Sequence, residues 1–422
     1  MSQQKIAPAK GPLHGVVTVP GSKSLSNRAL LMAAIADGTS YLKGLLWSDD
    51  TEACVVALQS LGVPLRKMSE TEIEVTGVHA FLSGERINCR DAGTVSRFLI
   101  PITAALGGEF EFYGSARLSE RPLKPLLDGL IAQGAIIQYH NQTGFLPLRL
   151  VSEGLKGGAL QVNIRDSSQF VSGLLMAAPK ARAPLTLFAD QLATKPYVRM
   201  TLEMMADFGV AAELQAHAVQ VEPGAYRACE YAIEPDASTA SYFFAAAALT
   251  GGEVTVRGLH RQVLQGDIHF LGVLEKMGAH VTESALGITV KGPEVLQGLG
   301  EIDLTGMTDT FMTLAVLCPF ATSPTTIKGL RHTRLQESDR VEAMRQGLTN
   351  LGAQVSTTEE SITIHPGALY GGVIDSHRDH RIAMSHALVG LKIPGVIIDG
   401  AECVKKTCPH FFEILGTLQG EQ

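Results

Sequence analysis

The sequence predicts an α/β (α+β) protein of two similar domains, each assembled from three repeated units. Three observations lead there. A helix end that closes on Gly-Ala or Gly-Val and runs into two short strand-like segments recurs five times, and self-similarity at a fixed period defines architecture. The glycines of the five copies, Gly62, Gly134, Gly209, Gly278 and Gly352, lie 72, 75, 69 and 74 residues apart. Two proline-bearing crossings, Pro20-Gly21 and Pro235-Asp236-Ala237, separate a middle with three complete copies from two ends that share the rest.

In chain order, Leu58-Gln-Ser-Leu-Gly-Val63 precedes Ile73-Glu-Val75, and Leu130-Ile-Ala-Gln-Gly-Ala135 precedes Leu146-Pro-Leu-Arg-Leu150. Met205 to Val210 is followed by Val219-Gln-Val221, Leu274 to Ala279 by Ile288-Thr-Val290, and Leu348 to Ala353 by Ile362-Thr-Ile364. A sixth copy is expected to be split across the termini, with Phe411 to Leu418 as its helix and Gly15-Val-Val-Thr-Val19 as one of its strands. The domains are then 1–20 with 237–422, and 21–236, hinged near 20–21 and 235–237. Two strands joining two bodies allow a cleft to close by hinge motion.

Bulk properties bound the function. A chain of 422 residues suggests two or three domains. An apolar content of 45% with 18% charged residues is that of a folded protein. The net charge of −7 argues against nucleic acid and anionic membranes as partners. No secretory signal pattern and no bilayer-length apolar run is present, which predicts a cytoplasmic protein. The six cysteines, at 54, 89, 229, 318, 403 and 408, form no CxxC pair and no metal spacing.

Pro20-Gly-Ser-Lys-Ser-Leu-Ser-Asn-Arg-Ala29 carries the first chemistry. It is not a Walker A loop, because Ser22 separates Gly21 from Lys23 and the required glycine spacing is missing. Ser24 or Ser26 can cap a helix, which Ala29 to Ala36 extends and Gly38 ends. Backbone donors at that helix start, with Lys23 and Arg28, suit an anion; a capped surface helix with ordinary basic residues is the alternative.

Similar clusters follow at other helix starts: Asp91-Ala-Gly-Thr-Val-Ser-Arg97, Arg117 with Glu120-Arg121-Pro122, Ser167-Ser-Gln-Phe170, Thr194-Lys-Pro-Tyr197, Met307-Thr-Asp309, Arg334 to Arg340, Arg378-Asp-His-Arg381 and Lys405-Lys-Thr-Cys-Pro409. Each alone also reads as a cap, a surface ion pair or a solvated charged face. Helix starts converging on one cleft would form an anion-seeking site.

Taken in order, PGSKSLSNRA, AGT-x-x-R, R-x-x-ERP, SSQF, KPY, DAS-x-ASYF, QGD, GMTDTFMT, ESDR, DHR and KKT-x-P resemble the 5-enolpyruvylshikimate-3-phosphate synthase family from Pro20 to Pro409. The resemblance implies the enolpyruvyl transferase fold, with three βαβαββ units in each of two domains around a closing cleft. It implies transfer of the enolpyruvyl group of phosphoenolpyruvate to the 5-hydroxyl of shikimate 3-phosphate, in aromatic amino acid biosynthesis, by a monomer with no metal and no other cofactor. It also implies a glyphosate target, with Gly93 leaving the phosphoenolpyruvate pocket uncrowded.

By the same resemblance, Ser167, Ser168 and Thr194 would hold the shikimate phosphate, and Ser24, Arg28 and Tyr197 its carboxylate. Lys23, Gln169, Asp309, His332 and Gln336 would complete that site. Lys23, Gly93, Arg117, Gln169, Arg340, His380, Arg381 and Lys406 would face phosphoenolpyruvate. Asp309 is the expected base toward the hydroxyl. Glu337, kept protonated by desolvation and assisted by Lys23, is the expected acid toward carbon. The chain departs from the family pattern at Asp91, Thr194, His332, Gln336 and Cys408. Gln336 stands where the family has a lysine that helps bind shikimate 3-phosphate, so another acceptor such as a UDP-sugar, or an inactive homologue acting as a binding protein, are the alternatives.

Overall fold

In a computed structural model the structure describes residues 2–165 and 167–420. The chain forms two compact units, Met1–Pro20 with Glu234–Gln422, and Gly21–Ile233.

All five repeat glycines do the same work. Gly62, Gly134, Gly209, Gly278 and Gly352 have φ between 84° and 104°, a region where a Cβ costs about 1 kcal/mol or more. Each follows a helix: Asp49–Ser60, Lys124–Ala132, Pro196–Asp207, Phe270–Lys276 and Arg340–Asn350. In every copy the residue after the glycine donates back to a carbonyl five residues earlier, as from Val63 to Leu58 and from Ala353 to Leu348. This closes a Schellman cap, which turns the chain into the hairpin. A sixth such glycine, Gly420 (φ 78°), ends the helix Phe411–Leu418.

Each hairpin joins a sheet of one design. In Glu85–Asn88, Gly108–Tyr113, Leu148–Ser152 and Ile136–Tyr139, the first pair is parallel and the others antiparallel. Four further four-stranded sheets repeat that pattern. The second and third repeats of Gly21–Ile233 supply all their own strands in βαβαββ order.

The first repeat of each unit takes its first strand from a distant part of the same unit's chain. Thr39–Lys43 pairs in parallel with Glu230–Ala232, the last strand before the chain leaves that unit. Glu253–Arg257 pairs in parallel with His14–Val17. The expectation that Gly15 to Val19 belongs to the sixth copy is therefore corrected: that strand serves the fourth. The sixth sheet is Val373–Asp375 parallel to Ile397–Asp399, completed by the unforeseen strand Gln3–Lys5 running antiparallel.

The first helix of each repeat is buried almost all round. Lys23–Ala34, Gly93–Leu106 and Gln169–Ala177 form the centre of one unit, and Ala237–Thr250, Phe311–Leu317 and His380–Gly390 the centre of the other. Close backbone approach explains the small residues among them; a Cβ on Gly173 would overlap the Arg97 carbonyl oxygen. Bonds such as Asn27 to Thr94 (2.8 Å) and Arg97 to Gln169 (2.8 Å) hold neighbouring N-terminal ends together. Each unit thus gathers three helix N-termini at one end of its core. Among the described residues no helix is long and apolar enough to cross a membrane.

Candidate active site

The N-termini gathered in each unit carry most of the residues singled out from sequence. In Gly21–Ile233 the helix Lys23–Ala34 is capped by Ser22, whose hydroxyl accepts from Leu25 N. This corrects the expected caps: Ser26 instead accepts from Leu46 N (3.2 Å), and the helix stops at Ala34 because Ala36–Asp37 enters a strand. With Ser22 as cap, Lys23 becomes the first helical residue. Its Nζ lies 3.3 Å from Asp50, and both are buried.

Arg28, one turn on, is 1% exposed. Its Nε donates to Thr201 Oγ1 (2.8 Å), its terminal nitrogens to Ser24 O (3.1 Å) and Ser172 Oγ (3.4 Å), and its guanidinium lies 4.7 Å from the Phe98 ring centre and 5.9 Å from that of Tyr197. Burial lowers its pKa to about 10. No carboxylate pairs with it among the described residues, so a permanent cation sits desolvated on neutral partners. Such a charge attracts an anion strongly.

Gly93 opens the second buried helix, and a Cβ there would meet the Arg121 guanidinium at 2.7 Å. Arg121 is 6% exposed, and its Nε has no acceptor among the described residues. Arg117 is placed differently from Arg121: its side chain is 42% exposed and pairs with Glu120 at 2.9 Å. The resemblance places Arg117 at the site, and a Glu120–Arg121 surface ion pair is one sequence alternative; in the structure Glu120 pairs with Arg117, and Arg121 is buried against Gly93. Asp91, the expected extra negative charge, is exposed and accepts a hydrogen bond from Ser115 Oγ.

At the third helix start, Ser167 Oγ accepts from Gln169 N (3.2 Å), and Ser168 makes no side-chain cap. Gln169 accepts from Arg97, whose guanidinium lies 5.4 Å from the Phe170 ring centre. Exposed Thr194 donates to Gln191 O (2.9 Å), and Tyr197 follows Pro196 at the start of the helix Pro196–Asp207.

In the unit containing both termini the pattern is ionic. Arg340, 1% exposed, donates through Nε to Asp379 (2.8 Å), through one terminal nitrogen to Asp309 (3.0 Å) and to Gln336, and through the other to Glu337 (2.8 Å). Arg381 donates to the second oxygen of Asp309 at 2.8 Å. Lys406 lies 3.6 Å from Glu337. Asp309 is thus no helix cap, and Arg334 to Arg340 is no simple solvated face.

Burial opposes the charge on Arg381, but Asp309 and then Tyr242, Asp267 and Asp236 outweigh it, so its pKa rises. Asp379 caps the helix His380–Gly390 by accepting from Arg381 N. His380 is fully buried, 3.7 Å from Asp379. His332 bonds Thr308 Oγ1 at 3.0 Å. Cys408 is buried, which pushes its thiol up to about 12. Among the described residues no group of three or more His, Cys, Asp or Glu is arranged to hold a metal ion.

Sequence reasoning passed over Asp50, Arg97, Arg121 and Asp379 as members of these clusters. Arg97, Arg121 and Asp379 lie inside the AGT-x-x-R, ERP and DHR motifs, which do not show which way each side chain points. Asp50 gave no signal beyond the acidic first turn of a helix.

Six repeats in two units, each gathering three helix N-termini with cationic side chains in their neighbourhood, define the two-domain enolpyruvyl transferase fold. The sequence pattern of EPSP synthase (3-phosphoshikimate 1-carboxyvinyltransferase) matches residues 8–415. The chain belongs to that family. It is 40% identical over 413 residues to the 3-phosphoshikimate 1-carboxyvinyltransferase of Nostoc punctiforme, covering 95% of both chains. It is 40% identical over 411 residues to that of Methanosphaerula palustris, covering 96% of this chain and 97% of the other. The structure of EPSP synthase from Acinetobacter baumannii superposes with a TM-score of 0.84 at 28% identity, over 99% of this chain and 98% of the other.

Proposed function

We propose that this chain transfers the enolpyruvyl group of phosphoenolpyruvate to the 5-hydroxyl of shikimate 3-phosphate, releasing phosphate. The observation that carries this reading is Arg28, a buried guanidinium with hydroxyl, carbonyl and aromatic partners and no carboxylate among the described residues. In the proposed complex the shikimate carboxylate meets Arg28, Ser24 and Tyr197, and its phosphate meets Ser167, Ser168 and Thr194. Phosphoenolpyruvate meets Lys23, Gly93, Gln169, Arg121, Arg340, His380, Arg381 and Lys406, with Arg117 at the margin. His332 and Gln336 border the acceptor.

The resting ion pairs suggest how the acid and base are armed. Asp309 is clamped by two guanidinium groups and Glu337 by Arg340 and Lys406. An incoming phosphate and carboxylate compete for the same cations. As the cations turn to the ligand, Asp309 is freed to take the proton of the 5-hydroxyl, and Glu337, losing its counter-charges in a dry site, becomes able to hold a proton for the methylene carbon. Protonation at that carbon and attack of the hydroxyl oxygen at C2 give a tetrahedral ketal. Loss of phosphate and of a methyl proton then restores the enol ether. The activity is proposed for a monomer in the cytoplasm, since one chain carries both groups of residues.

The test is phosphate release from phosphoenolpyruvate with shikimate 3-phosphate or UDP-N-acetylglucosamine as acceptor. Release with shikimate 3-phosphate alone is expected, and Asp309→Asn should lower kcat by about 10²–10⁴ with an unchanged circular dichroism spectrum. Release only with the UDP-sugar, or with neither, overturns the reading.

A further inference from the structure

The turn Gly266–His269 packs against the turn Thr308–Thr310 that carries Asp309. Asp267, in the first of these, is buried, and no proposed step uses it. Its carboxylate accepts a hydrogen bond from Ser238 Oγ and makes no ion pair among the described residues. The charged groups facing it are Asp309 and Arg381, with Asp236 at the start of the helix Ala237–Thr250. Arg381 gives one nitrogen to Asp309, while its buried Nε has no acceptor among the described residues. One guanidinium therefore stands in the field of two carboxylates, one bonded to it and one held back on a serine.

We propose that Asp267 is a positioning residue that sets the anion affinity of Arg381: uncharged, it leaves the guanidinium to Asp309 and the ligand, and ionised, it opposes the ligand as a second fixed negative charge. A buried carboxyl with one hydroxyl donor and carboxylates for neighbours is the kind that keeps its proton. Burial, then Asp309, raise its pKa to about 7, while Arg381 and the Ser238 hydrogen bond work the other way. A carboxyl raised that far changes its charge near neutrality. Protonation of Asp267 needs only solvent protons and leaves the reaction stoichiometry untouched. The inference rests on the reading that Arg381 receives a substrate anion.

Two measurements test it. The KM for phosphoenolpyruvate is compared between the natural chain and Asp267→Asn from pH 6 to 8.5, so that ionisation of the substrate cancels in the ratio. The two values should coincide at pH 6, and that of the variant should be lower by about tenfold at pH 8.5, the change that one pKa unit of coupling produces. A ratio independent of pH, as a purely structural residue would give, overturns the proposal. Carboxyl carbon NMR of the substrate-free chain, with Asp267→Asn assigning the signal, should show a titration near neutrality. Ser238→Ala, which removes the one donor favouring the ionised form, should move that midpoint upward. A midpoint in the ordinary aspartate range overturns the proposal even if no acceptor supports turnover, an outcome that would by itself sink only the proposed function.

Discussion

Arg28 shows what a single residue contributes. Its three nitrogens each donate to a different partner, Thr201, Ser24 and Ser172, with two aromatic faces beside it, an arrangement that a lysine's point charge cannot copy. Arg28→Lys should raise the KM for shikimate 3-phosphate by about 10- to 100-fold, the worth of a charge-assisted hydrogen bond of roughly 1.5–3 kcal/mol, and should alter kcat far less. An unchanged KM would remove Arg28 from the acceptor site. Single residues were only partly legible in sequence. Lys23 and Arg28 precede or begin an apolar run, so their place at a helix start could be read. Arg117 and Arg121 could not be ranked, because the short helix Ala116–Ser119 ends between them and Pro122 redirects the chain. That turn sends Arg121 inward to Gly93 and leaves Arg117 with Glu120.

Elements were more legible than residues. The repeat glycines announced five helix ends because one backbone conformation demands glycine each time, whereas strand ownership was hidden: His14–Val17 has the same alternation whichever sheet it joins. Two contacts between elements decide how Arg340 and Arg381 sit relative to each other. Their helices are tied near the start by Arg340 and Asp379, and further on by buried His386, which fits against Gly347. His386 Nδ1 donates to Ile382 O (3.0 Å), and its Nε2 has no partner among the described residues.

A Cβ on Gly347 would overlap that imidazole. Gly347→Ala gains up to about 1 kcal/mol of helix propensity, but overpacking in a fully buried seam costs about 1–3 kcal/mol, so net destabilisation is expected. Urea unfolding should show it, and His386→Ala should partly relieve it in the double variant; a more stable Gly347→Ala would refute the account. Burial also lowers the His386 pKa to about 4. A histidine whose folded pKa lies below its unfolded value of about 6.5 stabilises fully above that value, and the contribution is lost as pH falls toward 4. Unfolding midpoints should therefore drop between pH 6.5 and 4, and drop less in His386→Leu.

At the scale of the whole molecule, the division into Gly21–Ile233 and the remainder puts all three repeats of one unit in a continuous segment, including the borrowed strand Glu230–Ala232. Expressed alone, residues 21–233 should fold and unfold cooperatively in denaturant, because none of its sheets draws a strand from outside. A molten or aggregated product would show that its core needs the other unit. The remainder has no such independence: its sheets take His14–Val17 and Gln3–Lys5 from the N-terminal arm.

The crossings are pinned together, since Asp236 N donates to Pro20 O at 2.9 Å. This bears on the order in which a ribosome delivers the parts. His14–Val17 emerges before Gly21–Ile233 but must wait for Glu253–Arg257 beyond it, and Gln3–Lys5 must wait for Ile397–Asp399, further on still. Meanwhile everything needed for Gly21–Ile233 has already emerged. Once folded, it acts as a splint holding Pro20 beside Glu234, so a closure that would span more than two hundred flexible residues becomes a short one, with a correspondingly smaller entropy cost. An inserted unit that folds first would thereby guide assembly of its host.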